Sequence, residues 1–326
     1  MVGRLLKSIV FRLGRIRPGT IRELKANSAL GSISKLVHRT GSRRDRDISE
    51  QEYSKAAGYT IAKIHTHDVE QYSWIDGELR RVTVKTAAKA HYRERNQLLS
   101  ELQFETVLEV GAGELTSLYD LSEAFGPNKQ YFGLDITLNR LLHGRSFVRS
   151  RGVSMTICQG DGSRLPFPDN SFDLVYSSHS LEQMPNIFRD AIREMVRVSR
   201  RHIVMFEPAY EGASFLQKLH IRGLDYVHAI EPFLRTLDDV RVHPPYLFKN
   251  TINPFNRSTL FRLEKPEQAA TGDRRFICPV SRGELQQLPD GYYSADSRLF
   301  YPIVRGVPVL YRKYAQLISP EIVSAE

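Results

Sequence analysis

A mostly parallel α/β sheet is the fold class this sequence predicts, on three observations. β-type runs at 105–110, 130–135, 153–158, 172–177 and 202–206 recur at spacings that leave room for helices between them. Helical stretches separate the first three runs, and NIFRDAIREMVRVS, with apolar residues at helical spacing, precedes the fifth. Only the link to the fourth run is rich in loop residues. Alternation of this kind lays helices over a parallel sheet, whose ligands bind at the carboxyl ends of its strands.

The elements before that alternation are basic and helical. Residues 1–47 hold 12 Lys and Arg against 3 Asp and Glu, while the rest of the chain holds 34 of each. The net charge of +9 therefore sits in the N-terminal tail. A neutral body argues against a nucleic-acid-binding core, which needs Lys and Arg on its docking face. Within the tail, Val2, Leu5, Leu6, Ile9, Leu13 and Ile16 share one helical face, away from Arg4, Lys7, Arg12 and Arg15, until Pro18 and Gly19 end the helix. A basic amphipathic helix over residues 1–17 suits peripheral contact with an anionic membrane, docking on the protein's own body, or an organelle transit peptide, the alternative being a poorly ordered tail. Residues 1–48 comprise this helix and a polar linker, and residues 49–103 an N-terminal helical segment. In that segment Ser49 and Glu52 make a capping box for a helix over SEQEYSKAAGYTIAKI, and a second helix covers residues 86–102. Cys158 and Cys278 are the only cysteines, which excludes a disulfide framework and points to a reducing, cytoplasmic setting, with membrane association through the tail.

The first strand runs into VLEVGAGELTSL, residues 107–118. A tight turn needs glycine in any case, and Leu115 stands where a third glycine would complete a dinucleotide-binding loop. Glu109 and Glu114 are more informative. A pyrophosphate at this helix start would meet two carboxylates that oppose the helix dipole. A ligand bearing an ammonium and a sulfonium instead of phosphate tolerates them, and S-adenosylmethionine is such a ligand. In YFGLDI the strand ends in Asp135, 26 residues after Glu109, where a carboxylate can accept hydrogen bonds from both ribose hydroxyls. ICQGDGSRLPFPDNSFDLVYSSHSLEQMPN then places Asp161 and Gly162 after the third strand and Asp173 at the start of the fourth.

With these landmarks in order, residues 87–264 resemble the class I S-adenosylmethionine-dependent methyltransferases. The likeness is greatest to members carrying a stretch like LPFPDNSFDLV followed by a Leu-Glu-His-like segment. It implies a Rossmann-like, mostly parallel sheet over residues 104–265. It also implies that Glu109, Gly111 and Gly113 line the methionine end of the cofactor, that Asp135 binds the ribose, that Asp161 and Gly162 read the adenine edge, and that Ser178 lies beside them. The sequence departs from the pattern at Leu115 and at Gln183, which replaces the usual His.

Methyl transfer from a sulfonium is an in-line displacement, so positioning dominates and a base is needed only where the acceptor's proton must leave early. His179, after the fourth strand, is the first candidate base, Glu182 the second and Glu207 the third. The Asn- or Asp-Pro-Pro-aromatic segment common in enzymes acting on base amines or glutamine is absent after the fourth strand. HPPY, residues 243–246, lies beyond the fifth strand and is read as a loop away from the methyl group. The neutral body favours a small-molecule, glycan or lipid-linked acceptor. The basic tail would instead suit a tRNA or rRNA acceptor, and a non-catalytic binding protein could keep the same fold.

Two further motifs raise the question of metals. His65, His67, Asp68 and Glu70 make an incomplete ligand set and are read as a solvated polar stretch. Residues 270–326 form a small β module, and residues 276–313 resemble the small zinc-binding activator subunits of tRNA, ribosomal-RNA and release-factor methyltransferases. Cys278 is present there, but Ser281 stands where a second cysteine would complete the pair, so a metal-free module is expected. Phe276, Ile303, Val307 and Val309 are expected to cover the larger domain.

Overall fold

The computed structural model describes residues 46–66, 69–266 and 274–319. The tail helix over residues 1–17 and the His67–Asp68 pair lie outside the described residues. An eight-stranded sheet forms the centre, built of β3 (Thr106–Val110), β4 (Gln130–Asp135), β5 (Thr156–Gln159), β6 (Phe172–Ser178), β7 (Ser199–Pro208), β8 (Arg241–Val242), β9 (Tyr246–Leu247) and β10 (Ser258–Glu264). The order is β5-β4-β3-β6-β7-β10-β8, with β9 paired to β10. The first five are parallel. β10 runs antiparallel to β7 and was not anticipated; its buried residues alternate with partly exposed ones along most of its length, a weaker signal than a continuous apolar run.

Strand alternation builds two cores on opposite faces of the sheet. Leu108, Val110, Phe132, Leu134, Val175, Ile203 and Met205 belong to one apolar cluster; their neighbours Val107, Tyr131, Leu174, Tyr176, Val204 and Phe206 belong to the other. Helix α5 (Phe188–Val198) feeds Ala191, Ile192 and Met195 into the first. Helices α3 (Thr116–Phe125) and α4 (Leu138–Arg149) feed Leu118, Leu121, Leu141 and Phe147 into the second. The chain proceeds from β3 outward to β4 and β5, then returns to place β6 on the other side of β3. The loops leaving β3 and β6 therefore diverge, and a crevice opens at their carboxyl ends.

The N-terminal segment departs from the all-helical expectation. α1 (Arg46–Lys55) starts before Ser49, whose backbone is already helical, so Ser49 is no cap. The expected helix over residues 49–64 breaks at Gly58, which holds φ +89°, and resumes as a short helical stretch over residues 59–66. Next comes a hairpin of β1 (Glu70–Ile75) and β2 (Glu78–Thr83), turned at Asp76 and Gly77, both at positive φ. Asp-Gly between β-type residues is the sequence signal for such a turn. Helix α2 (Val84–Leu99) follows, its start capped by Thr83 Oγ1 accepting from Thr86 N–H at 3.1 Å.

The C-terminal module is a five-stranded antiparallel sheet of β11 (Gln286–Leu288), β12 (Gly291–Ser294), β13 (Leu299–Val304), β14 (Val307–Pro308) and β15 (Gln316–Leu317). It is continuous with the larger domain. Val309 bridges Gln159 of β5 in parallel, and Leu310 N–H donates to Gln159 O at 2.8 Å. Cys278, Tyr301 and Leu310 belong to the same apolar cluster as Val110 and Leu134. Phe276 packs on Phe167 at 5.5 Å between ring centroids, and Val307 joins the opposite cluster, whereas Ile303 is only half-buried and belongs to neither. Arg282 donates to both oxygens of Glu194 on α5, each at 2.8 Å. Around Cys278, Sγ lies 3.4 Å from Ser297 Oγ and 3.4 Å from Tyr301 Oη, and accepts from Ser281 N–H at 3.4 Å. Ser281 and Ser294 hydroxyls are 3.3 Å apart. Among the described residues no group of three His, Cys, Asp and Glu side chains could hold a metal ion. No described helix is long and apolar enough to cross a membrane.

Candidate active site

The crevice at the ends of β3 and β6 has two lobes. The smaller is lined by Gly111, Asp135, Thr137, Asp161, Gly162 and Met184 among others. The larger is lined by Glu109, Gly113, Ser178, Glu182, Asn256 and Ser258 among others. Tyr53, Gly111, Arg140, His179 and Gln183 line both, so the lobes join there. The structure thus brings together every residue expected at the cofactor or the methyl acceptor except Glu207.

The loop after β3 is set by close approach. Gly111 holds φ +79°, and a Cβ there would fall 1.7 Å from Ser180 Oγ. Gly113 holds φ +51°, with the Arg140 guanidinium against it. Asp135 accepts Gly113 N–H and Thr137 N–H, each at 2.8 Å and each on a different oxygen. Every carboxylate oxygen has two lone pairs, so each still has one to offer a ligand. Asp161 Oδ1 accepts from Ser163 N–H and Oγ at 2.9 and 2.8 Å, which ties the next loop.

Glu109 and Glu114 have opposite fates. Glu109 is buried, and its Oε2 has no hydrogen-bond partner. Burial pushes its pKa up to about 7, against the pull of Arg95 and of hydrogen bonds from Tyr176 and Ser117. An unpartnered, desolvated carboxylate oxygen on the wall of a cleft fits a ligand cation. Glu114 also lines the larger lobe, but its carboxylate is spent on the N-terminal segment. It accepts N–H groups of Gly58, Thr60 and Ile61 at 3.1, 3.4 and 2.8 Å, with Arg140 Nε 3.6 Å away. It thereby fastens residues 58–61 over the loop.

His179 holds φ +51° after β6, and its ring nitrogens reach Glu182 and Ser258. Glu207 is fully buried and lines neither lobe. Its Oε1 accepts from Ser177 Oγ and from Ser180 and Leu181 N–H, and its Oε2 from Glu182 N–H. It therefore shapes the loop that carries His179 and Glu182. In HPPY, His243 pairs with Glu264 and Tyr246 donates to Glu94, and neither lines the cleft. His65 stacks on Phe147 at 4.7 Å, with burial lowering its pKa.

Residues 107–202 match a methyltransferase domain family. Over 130 residues the chain is 29% identical to a demethylmenaquinone methyltransferase of Geobacillus kaustophilus, covering 39% of this chain and 55% of that protein. Over 114 residues it is 32% identical to the demethylmenaquinone methyltransferase of Listeria welshimeri, covering 34% of this chain and 48% of that one. The chain spans about half the length of the curated relatives it matches. Among solved structures, the [4+2]-cyclase SpnF shares the fold at a TM-score of 0.53 and 16% identity, over 71% of this chain and 100% of that one.

The α/β domain receives two residues from α2 that sequence reasoning missed. His91 lines the larger lobe with Nδ1 2.9 Å from Asn250 O, and burial pushes its pKa down to about 3. Arg95 is fully buried, pairs with Asp120 at 2.9 Å, and donates to Ser117 Oγ at 2.7 Å. In the sequence both sit in a polar helical stretch that reads as a solvated face.

Proposed function

We propose that this chain transfers the methyl group of S-adenosylmethionine to a small organic acceptor. The observation that carries the reading is the unpartnered Glu109 oxygen in a cleft whose other walls hold Asp135 and the Asp161 loop. Glu109 would take the ammonium, Asp135 the ribose hydroxyls, and Asp161 with Gly162 the adenine edge. Ser178 would border the methionine end. The bound cofactor would supply a sulfonium-activated methyl group; the residues' part is to hold it in line with the acceptor and exclude water. Tyr59, Ile64, Tyr92 and Ile252 give the larger lobe an apolar side, which suits a ring compound of the quinone type in the relatives' names.

Calorimetry tests the cofactor. Wild type should bind S-adenosylmethionine, and Asp135→Ala should weaken binding by roughly 1.5–3 kcal/mol, the worth of a hydrogen bond to a charged group. Binding of NAD in its place would refute the reading. Methyl-labelled cofactor incubated with cell extract should then label a small acceptor in the organic-soluble fraction.

A further inference from the structure

Ser258 opens β10 on the wall of the larger lobe, with 1% of its surface exposed. Its Oγ lies 2.6 Å from His179 Nε2, and His179 Nδ1 lies 3.1 Å from Glu182 Oε2. Asn256 Nδ2 donates to the same Glu182 oxygen at 2.9 Å, which aims the carboxylate at the ring. Ser258 is 79 residues from His179 in the chain, and only the antiparallel pairing of β10 with β7 brings them together. The carboxylate fixes the tautomer: Nδ1–H donates to Glu182, and Nε2 keeps its lone pair for the Ser258 hydroxyl. The left-handed backbone of His179, uncommon for a side chain of this size, is held by its N–H donating to Phe206 O at 3.0 Å.

We propose that Ser258, His179 and Glu182 form a proton relay in which Ser258 is the group that meets the methyl acceptor. The proposal rests on the methyl-transfer reading and deepens it by naming the acceptor class, a neutral hydroxyl compound. An amine can shed its proton to water after transfer, whereas a hydroxyl needs a base while its oxygen attacks.

The balance closes within the site. The acceptor oxygen bonds to the methyl carbon as the methyl–sulfur bond breaks and leaves its electron pair on sulfur. The acceptor's proton passes to Ser258 Oγ, and the proton of Ser258 passes to His179 Nε2. One positive charge disappears from sulfur and one appears on the imidazole, beside Glu182. His179 is faced by Glu182 from its own loop, by Glu207 from β7, and by His91 from α2 at 6.4 Å between ring centroids. Burial opposes its protonation, and Glu182 followed by Glu207 more than offsets it, so its pKa is raised. His91, kept neutral by burial, adds no competing charge near neutral pH.

The experiment has two arms on the full chain. In nitrogen-15 histidine NMR, wild-type His179 should show the Nδ1–H tautomer near neutral pH and titrate above the ordinary 6.5. Glu182→Gln should lower that pKa by about one unit or more. Ser258→Ala should shift the Nε2 resonance while the backbone spectrum stays folded. In the second arm, methyl-labelled S-adenosylmethionine is supplied with the organic-soluble fraction of a cell extract as acceptor. Ser258→Ala and His179→Gln should each slow the initial rate about 100-fold or more, the double variant no further, and Ser258→Thr should restore much of the rate. The affinity of Ser258→Ala for the cofactor should stay within about twofold of wild type, as expected of a group acting on the acceptor. A wild-type His179 titrating at or below the ordinary value, or a Ser258→Ala rate within about threefold of wild type, would overturn the relay. Wild type that fails to bind the cofactor would overturn the parent reading instead. If the extract offers no acceptor, the NMR arm alone decides.

Discussion

Leu115 holds φ +58°, a conformation that favours glycine, and it is fully buried. The misfit is accommodated by neighbours without side chains: a Cβ on Gly133 would meet Leu115 Cδ2 at 2.9 Å, and one on Gly144 would meet Leu115 Cγ at 2.8 Å. β4 and α4 leave room for Leu115 where a glycine loop would carry a small residue. Leu115→Gly should therefore destabilise despite relieving the backbone, by roughly 2–4 kcal/mol in denaturant unfolding. Glu109 makes a second prediction at this scale. Its pKa is raised from 4.5 to about 7 in the folded chain. Its contribution to stability is therefore complete below pH 4.5 and is lost as pH rises through about 7. A ligand ammonium favours the ionised carboxylate, so affinity for S-adenosylmethionine should rise by up to about tenfold between pH 6 and 8. Calorimetry across that range should show the slope in wild type and a flat response in Glu109→Gln. Legibility at this scale followed locality. Asp135, Asp161 and the glycines stand beside their own strands, so their places were readable; His91 and Ser258 reach the cleft from distant elements, and no local pattern marks them.

The stretch from α1 through residues 59–66 shows how one acid organises an element. Capping chemistry predicted a single helix, yet three backbone N–H groups of residues 58–61 turn instead to Glu114. Tertiary hydrogen bonds to a buried carboxylate outweigh a local cap whose worth is about 1 kcal/mol. Thr60 lines the larger lobe because of that pinning. Glu114→Ala should cost roughly 2–4 kcal/mol in unfolding experiments and should raise amide exchange at residues 58, 60 and 61 more than elsewhere. Equal protection at those amides in the variant would contradict the account. The parallel strands were legible because apolar residues fill both faces of each. β10 and the β1–β2 hairpin were not, since each has a polar face and rests on partners far along the chain; Trp74, for example, exchanges N–H and carbonyl hydrogen bonds with Thr251.

At the scale of the molecule, the C-terminal module braces the cleft without lining it. Leu310 pairs with Gln159, directly before Gly160 and the Asp161 loop, while Lys313 and Tyr314 bind Glu50 of α1. The module thus holds both the loop expected to read adenine and the helix that brings Tyr53 to the cleft. Deleting residues 270–326 should lower the melting temperature by exposing apolar surface, and should also weaken S-adenosylmethionine binding several-fold. Calorimetry on the truncated chain checks this; unchanged affinity in a folded truncation would separate module from site. That the module is a small β unit resting on the larger domain was legible, but the share of Cys278, Tyr301 and Leu310 in the large core was not, because they look like the interior of a small independent domain.

Cys278, Ser281, Ser294 and Ser297 are spaced as two pairs, each with two residues between its members, and their side chains touch across the pairs. That spacing and convergence suit a tetrahedral metal, although hydroxyls occupy three corners. Replacing Ser281, Ser294 and Ser297 by cysteine should therefore give a chain that takes up one zinc or cobalt ion, read by metal analysis and by the thiolate–cobalt absorption. Since the module braces the loop and α1, a chelator would then act at a distance on cofactor affinity, making methyl-donor binding metal-responsive in a chain whose natural cluster should ignore chelators.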